Sequence, residues 1–352
     1  MALKIGKLEL YMGPPGAGAP DDLRQVIVDF IDGATKRLEI AVQELEDEAI
    51  AQAIVRARQR KVQVWVVLEA DYLRAKRAHA DPFSPGGAHE PNRRLHDAIL
   101  RANIQVRTDF NPDIFHQKFI VRDREAVLTG STNFTPTGVE RNLNHVVILK
   151  DREVAKVYQR EFKEIRQGHF GKLNEGHDPA PPDLSVSQVP IRIAFAPDHN
   201  PEMEIMKQML KAKERVDFAI FTFSQSSGID DAMITLRDAD RDLRGVLDSR
   251  QANQDWAATR PVKNAGARLW RVSQSATVGK LHHKLMVIDG QVIIAGSFNY
   301  TGPATRLNDE NIIVIGDLES GNATTIERQR RLGAFALAEI DRIIEEHAVE
   351  IT

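Results

Sequence analysis

Cysteine is absent from the 352-residue chain, which excludes disulfide scaffolds, thiolate metal sites and cysteine nucleophiles together. No apolar run approaches the roughly 18 residues of a membrane-spanning helix. The N-terminal stretch MALKIGKLELYMGPPG lacks a long apolar core behind its lysines, so no signal peptide is expected. A strong charge of one sign is missing too: 47 Lys and Arg stand against 50 Asp and Glu, a net −3. Any polyanion-binding surface must therefore be local. There is no H-E-x-x-H and no evident carboxylate cluster at ligand spacing, so neither a metal nor another cofactor is expected. What is present is ordinary for a globular protein, 42% apolar and 28% charged, and long enough for two cores. The expectation is a soluble, cytoplasmic protein.

Strand and helix patterns alternate, and the alternation occurs twice. A strand from Leu8 leads to a helix opened by Pro20 and Asp21, then a strand over 38–42, a helix over 48–60 and a strand over 62–69. The second half repeats this order with strands over 191–195, 216–221 and 243–247 and helices over 201–212 and 228–237. Such alternation implies βαβ units and a largely parallel arrangement. Between the halves, 171–190 is rich in proline and polar residues and reads as a linker. The expected architecture is α/β: one repeat over 1–170 and a second over 191–352, each a mixed sheet flanked by helices.

The repeat is strictest in HQKFIVRDREAVLTGSTN, from His116 to Asn133, and HHKLMVIDGQVIIAGSFN, from His282 to Asn299. Both fit H-x-K-x4-D-x6-G-S-x-N. One match to six fixed positions has a chance of about 10⁻⁵ over the chain, and two in register dismiss coincidence. These residues resemble the paired signature of the phospholipase D superfamily, and the resemblance extends over both halves. Each copy also reads as a β-hairpin with its turn at Asp123 or Asp289, where local hydrogen bonding explains the carboxylate better than proton transfer. Alternation along the strands sends His116 with Lys118, and His282 with Lys284, to one face. The same step aligns Ser131 with Asn133 and Ser297 with Asn299. Each copy thus offers half of a phosphate clamp, with Gly130 and Gly296 leaving room for a phosphate oxygen near the backbone.

Displacement at phosphorus needs an attacking group and a proton donor on opposite sides. One imidazole can attack to give a phosphohistidine while the other protonates the leaving oxygen and then activates water. Lysines, asparagines and serines would hold the non-bridging oxygens. The resemblance implies the same two-histidine, metal-free mechanism at the interface of two repeats packed with pseudo-twofold symmetry. It further implies that Glu310 accepts a hydrogen bond from a catalytic histidine of the other repeat. Carried over, this has Glu310 orient His116 and Asn144 orient His282, making His116 the nucleophile and His282 the acid. His283 fills the variable motif position and, like the remaining isolated histidines, is expected to be structural.

The motif does not choose among nucleases, lipases and phospholipid synthases. Residues 249–284 carry seven Lys or Arg against Asp255 alone, and Arg74, Lys76, Arg77, Arg93 and Arg94 cluster after the strand ending near Ala70. A basic track that includes Arg260, Lys263 and Arg268 suits a DNA or RNA backbone. Trp256 lies within it and either packs or stacks on a base. A nuclease is therefore expected, with a phospholipid hydrolase or phosphatidyltransferase as the alternative and a non-catalytic phosphate-binding module a distant third.

Overall fold

The computed structural model describes every residue except Met1, Lys76, Glu175 and His177. Lys76 of the basic loop and His177 among the isolated histidines thus lie outside the described residues. Short strands rich in Val, Ile, Leu and Phe assemble into two sheets. The first contains β1 (Leu3–Ile5), β2 (Leu8–Gly13), β3 (Arg37–Val42), β4 (Gln63–Leu68), β5 (Gln105–Thr108), β6 (Lys118–Arg122), β7 (Ala126–Gly130) and β8 (Asn144–Leu149). Its order is β1-β2-β8-β7-β6-β3-β4-β5. The second contains β9 (Leu184–Val186), β10 (Val189–Ala196), β11 (Arg215–Ile220), β12 (Asp242–Asp248), β13 (Arg268–Val272), β14 (Lys284–Ile288), β15 (Val292–Gly296), β16 (Glu310–Ile315) and β17 (Ala348–Glu350). Read from β9, it runs β9-β10-β16-β15-β14-β11-β12-β13-β17, the first order repeated with one strand added.

Among the described strands, β3, β4 and β5 and their counterparts β11, β12 and β13 run parallel, and the other strands of each sheet pair antiparallel. The sheets are therefore mixed, as expected of the two repeats, although the βαβ alternation by itself pointed to a largely parallel arrangement. The motif hairpins and their return strands have connections too short for a parallel crossover. Both faces of each sheet are covered. In β6, Phe119 and Val121 join a core shared by the two halves, while Ile120 joins a core confined to the first. The helices Arg152–Gln167 and Ala323–His347 contribute to the shared core, and Leu23–Asp32 and Glu48–Gln59 cover the outer face of the first sheet. The second outer face carries Pro201–Met209 and Ile229–Asp238. Among the described residues no helix is long and apolar enough to cross a membrane.

Two local readings change. The first helix begins after Asp22, whose side chain accepts from the Gln25 amide, and Asp21 instead accepts from the Met12 amide. The stretch read as linker contains β9, which pairs with β10 through a two-residue turn. Ser187 and Gln188 hold that turn at φ 51° and 60°, a conformation usually signalled by Asn-Gly, so the sequence concealed the hairpin. Asp123 and Asp289 do sit at the hairpin turns, but their carboxylates tie those turns to the segments opening β3 and β11 instead of bonding locally. Asp123 accepts from the amides of Thr35, Lys36 and Arg37, and Asp289 from those of Lys213, Glu214 and Arg215.

Candidate active site

The two halves are stitched by backbone hydrogen bonds beside both motif histidines. The His116 amide donates to the Asp309 carbonyl at 2.9 Å and the Asp309 amide to the Ile114 carbonyl at 3.0 Å. On the related side, the Leu143 amide donates to the Lys280 carbonyl at 3.0 Å and the His282 amide to the Leu143 carbonyl at 2.9 Å. Each histidine therefore has its main chain fixed by the opposite repeat. Their side chains line one cleft of about 560 Å³, together with Asn133 and Asn299.

His116 Nδ1 lies 2.7 Å from Glu310 Oε2, which also accepts from the Ser297 hydroxyl at 2.6 Å. His282 Nδ1 lies 2.9 Å from Asn144 Oδ1, which accepts from the Ser131 hydroxyl at 2.7 Å. In both cases an acceptor at the first position of a strand, β8 or β16, reaches across the seam to Nδ1 and turns Nε2 toward the cleft, where that of His282 meets Lys284 Nζ at 3.0 Å. One partner is an ionisable carboxyl and the other a permanently neutral amide. That is the chemical asymmetry of the site. Burial pushes Glu310 up to about 8, opposed by the Lys118 ammonium, and holds both imidazoles well below their usual value.

Lys118 Nζ donates to the His116 carbonyl at 2.7 Å and to Gln43 Oε1 at 3.2 Å. Lys284 Nζ lies 3.0 Å from both His282 Nε2 and the His282 carbonyl. Burial lowers Lys118 to about 7 and lowers Lys284 strongly. Burial thus disfavours the charged form of both amines, and an anion in the cleft would favour it again.

Several expected phosphate contacts have other roles. Ser131 and Ser297 are fully buried and support Asn144 and Glu310. Asn144, also fully buried, holds His282 rather than substrate. A Cβ on Gly130 would lie 2.3 Å from the His145 carbonyl oxygen, and one on Gly296 equally close to that of Asn311. These glycines admit the neighbouring strand, not a phosphate. Arg260 and Lys263 line a separate recess of about 700 Å³ bordered by 252–257, the segment whose Trp256 reaches the cleft. Arg268 opens β13, at the end of the sheet remote from the cleft, because β12 and β13 run parallel toward it. Arg74, Arg93 and Arg94 pair with Asp71, Glu90 and Glu48.

Sequence reasoning passed over Gln43, Glu44 and Phe221, which also line the cleft. They follow β3 and β11, the strands beside the motif hairpins, and that position is the signal that could have found them. Asn133 Nδ2 donates to Glu44, which burial raises to about 7. Lys280, part of the basic track, sits in the cleft with its ammonium 4.7 Å from the Phe221 ring centre. His283 is buried and stacks on His145 at a ring separation of 5.4 Å.

The family model described as "Cardiolipin synthase, PLD-like domain" matches residues 27–166 and 205–327, so each motif lies within a matched segment. The chain belongs to the phospholipase D family. A phospholipase D from Rickettsia felis is 34% identical over 139 residues, 40% of this chain and 62% of the relative. A mitochondrial cardiolipin hydrolase from Xenopus laevis is 32% identical over 148 residues, 42% of this chain and 59% of the relative. The chain thus covers about three fifths of the length of these phospholipase D family relatives. A phosphatidylserine synthase from Haemophilus influenzae superposes with a TM-score of 0.68 over 100% of this chain and 88% of its own, at 14% identity. A polyphosphate kinase from Porphyromonas gingivalis gives 0.63 over 98% of this chain and 48% of its own, also at 14%. At such identities the likeness is one of fold.

Proposed function

We propose that the chain is a metal-independent phosphodiesterase that hydrolyses nucleic acid through a phosphohistidine on His116. The observation that carries the reading is the paired but unequal support of two imidazoles at one cleft. His116 Nε2 attacks phosphorus, the bond to the leaving oxygen breaks, and His282 protonates that oxygen from Nε2. His282 acquires this proton when the anionic substrate enters, because a nearby negative charge favours the imidazolium. In the second step His282 takes a proton from water, whose oxygen attacks phosphorus as the P–N bond breaks. Glu310 stabilises the positive charge that the phosphorylated imidazole bears. Lys118 and Lys284, with Asn133 and Asn299, steady the charge on the non-bridging oxygens.

Nucleic acid is favoured by what flanks the cleft. Trp256 is 45% exposed at its edge, a surface for base stacking. Arg260 and Lys263 lie beyond that segment, and Arg250 and Lys280 line a pocket on the Phe221 side. A strand crossing the cleft would meet cations in both directions. A phospholipid substrate is the second reading, supported by the exposure of Ile114 (44%) and Trp256 together at the rim and by the names of the relatives. EDTA-treated protein should be offered plasmid, single-stranded DNA, RNA and phospholipid vesicles. Cleavage of a nucleic acid is expected, and in a His116→Ala binder Arg260→Ala with Lys263→Ala should flatten the salt dependence while Arg268→Ala does not. Lipid cleavage with nucleic acid untouched would replace the nuclease by the phospholipid reading. Activity abolished by EDTA and restored by Mg²⁺, with the melting temperature unchanged, would refute the mechanism.

A further inference from the structure

Away from the cleft, carboxylates from three parts of the chain converge where the halves meet. Glu161 and Glu164 are one helical step apart on Arg152–Gln167 of the first half. Asp198 follows β10 of the second half, and Asp178 comes from the segment between them. Oxygen atoms of Glu161, Glu164 and Asp198 all lie within 4.8 Å of one another, and ligand atoms of Asp178, Asp198 and His199 do likewise. Two oxygens on opposite sides of a Ca²⁺ ion, each about 2.4 Å away, are about 4.8 Å apart. Oxygens this close can share one ion.

The cluster also has unmet electrostatic demand. Glu161 is 1% exposed and its Oε2 accepts no hydrogen bond, while Oε1 accepts from Gln117 at 3.3 Å. No hydrogen-bond donor satisfies either carboxylate oxygen of Asp198 although its side chain is wholly buried; its neighbours are the His199 ring at 3.3 Å and the carboxyl of Asp178. Glu164 Oε2 is a further buried oxygen without a donor. Arg160 lies 3.3 Å from Asp178; among the described residues no Lys or Arg bonds Glu161, Glu164 or Asp198. Burial and the neighbouring carboxylates push Glu161, Glu164 and Asp198 all upward, a strain that a bound cation would relieve.

His199 shows which kind of ion fits. Its Nδ1 accepts from the Phe195 amide at 3.3 Å, leaving Nε2–H to donate to Asp178 Oδ1 at 2.7 Å. The ring is thus a donor that orients the carboxylates, as supporting groups do around metal ligands. The remaining ligands are all oxygens, the set preferred by hard cations over zinc or copper.

We infer that Glu161, Glu164 and Asp198, with Asp178 beside them, form a binding site for a hard divalent cation that staples the two repeats together. This site is separate from the phosphodiester chemistry. It also reaches toward the seam: Glu161 holds Gln117, the residue after His116, and Gln117 donates to the Glu310 carbonyl at 3.2 Å. The ion would neutralise charge contributed by both halves and so oppose their separation.

The test uses the full chain after EDTA treatment and dialysis, titrated separately with CaCl₂, MgCl₂ and MnCl₂. Calorimetry should find one site for at least one cation. Saturation should raise the melting temperature by roughly 3–8 °C at about 100 times the dissociation constant. Asp198→Asn and Glu164→Gln should each abolish or strongly weaken that rise, and in EDTA should melt no lower than the parent because a repulsive charge is gone. Glu164, being partly exposed, is the variant least prone to misfold. No heat of binding and no thermal shift with any of the three salts would overturn the inference. A shift that persists in both variants would place the ion elsewhere and equally overturn it. Melting is read without turnover, so failure here and failure of the phosphodiesterase reading remain distinguishable.

Discussion

Replacing Glu310 with Gln keeps the shape of the side chain and removes its charge. In the parent, Oε2 accepts from His116 Nδ1 at 2.7 Å and from Ser297 at 2.6 Å. The charge matters when His116 becomes a phosphorylated imidazolium. A positive ring about 4 Å from a carboxylate, at an effective dielectric near 20, is favoured by about 4 kcal/mol. The amide would recover a neutral hydrogen bond of about 1 kcal/mol. The difference, about 3 kcal/mol, corresponds to roughly a hundredfold loss in kcat. KM should change less, since the ground state holds a neutral imidazole. Release of p-nitrophenolate from bis(p-nitrophenyl) phosphate provides the assay. The pH profile gives a second readout. Glu310 must be ionised, and burial raises it to about 8; Lys118 must be charged, and burial lowers it to about 7. Activity therefore rises as pH climbs through the carboxyl and falls as it climbs through the ammonium, a narrow bell centred near about 7.5. The variant should lose the acid limb and keep the alkaline one. A well-folded Glu310→Gln protein with less than about a threefold loss in kcat would refute the charge-based role.

Because both imidazoles serve one phosphorus, His116→Ala and His282→Ala should each remove nearly all turnover, with the double variant little worse; half the rate in either single variant would mean independent sites. Gly130→Ala drives a Cβ to 2.3 Å from the His145 carbonyl at a glycine φ of 153°, so urea midpoints should report a loss of roughly 3 kcal/mol or more. Asp123→Ala removes the acceptor for three amides and the Thr35 hydroxyl and should cost about 2 kcal/mol at neutral pH. Burial raises the Asp123 carboxyl, but these hydrogen bonds outweigh it and hold it below its usual range. The parent's advantage should thus be full above about pH 4 and vanish as pH falls through the lowered value; an advantage that persists at lower pH would contradict this account.

The sequence alone determined the repeat, the paired histidines and lysines, and the hairpin that carries each pair. These depend on short-range spacing: a hairpin's alternation and turn are written within about twenty residues. Alignment of the apolar tails also set Glu310 opposite Asn144, because both begin equivalent strands. Tertiary structure decided which side chains face substrate. Gly130, Ser131 and Asn144 belong to the same motif region, yet they face the adjacent strand and the supporting layer, since a sheet covered on both faces gives no local sign of which neighbour fills a gap. Strand direction separated Arg268 from the cleft, and ion pairing occupied Arg74, Arg93 and Arg94. The carboxylate cluster was invisible for the same reason. Glu161, Asp178 and Asp198 are too far apart in sequence to display a ligand motif, and only the packing of one repeat on the other brings their oxygens within 4.8 Å of shared neighbours.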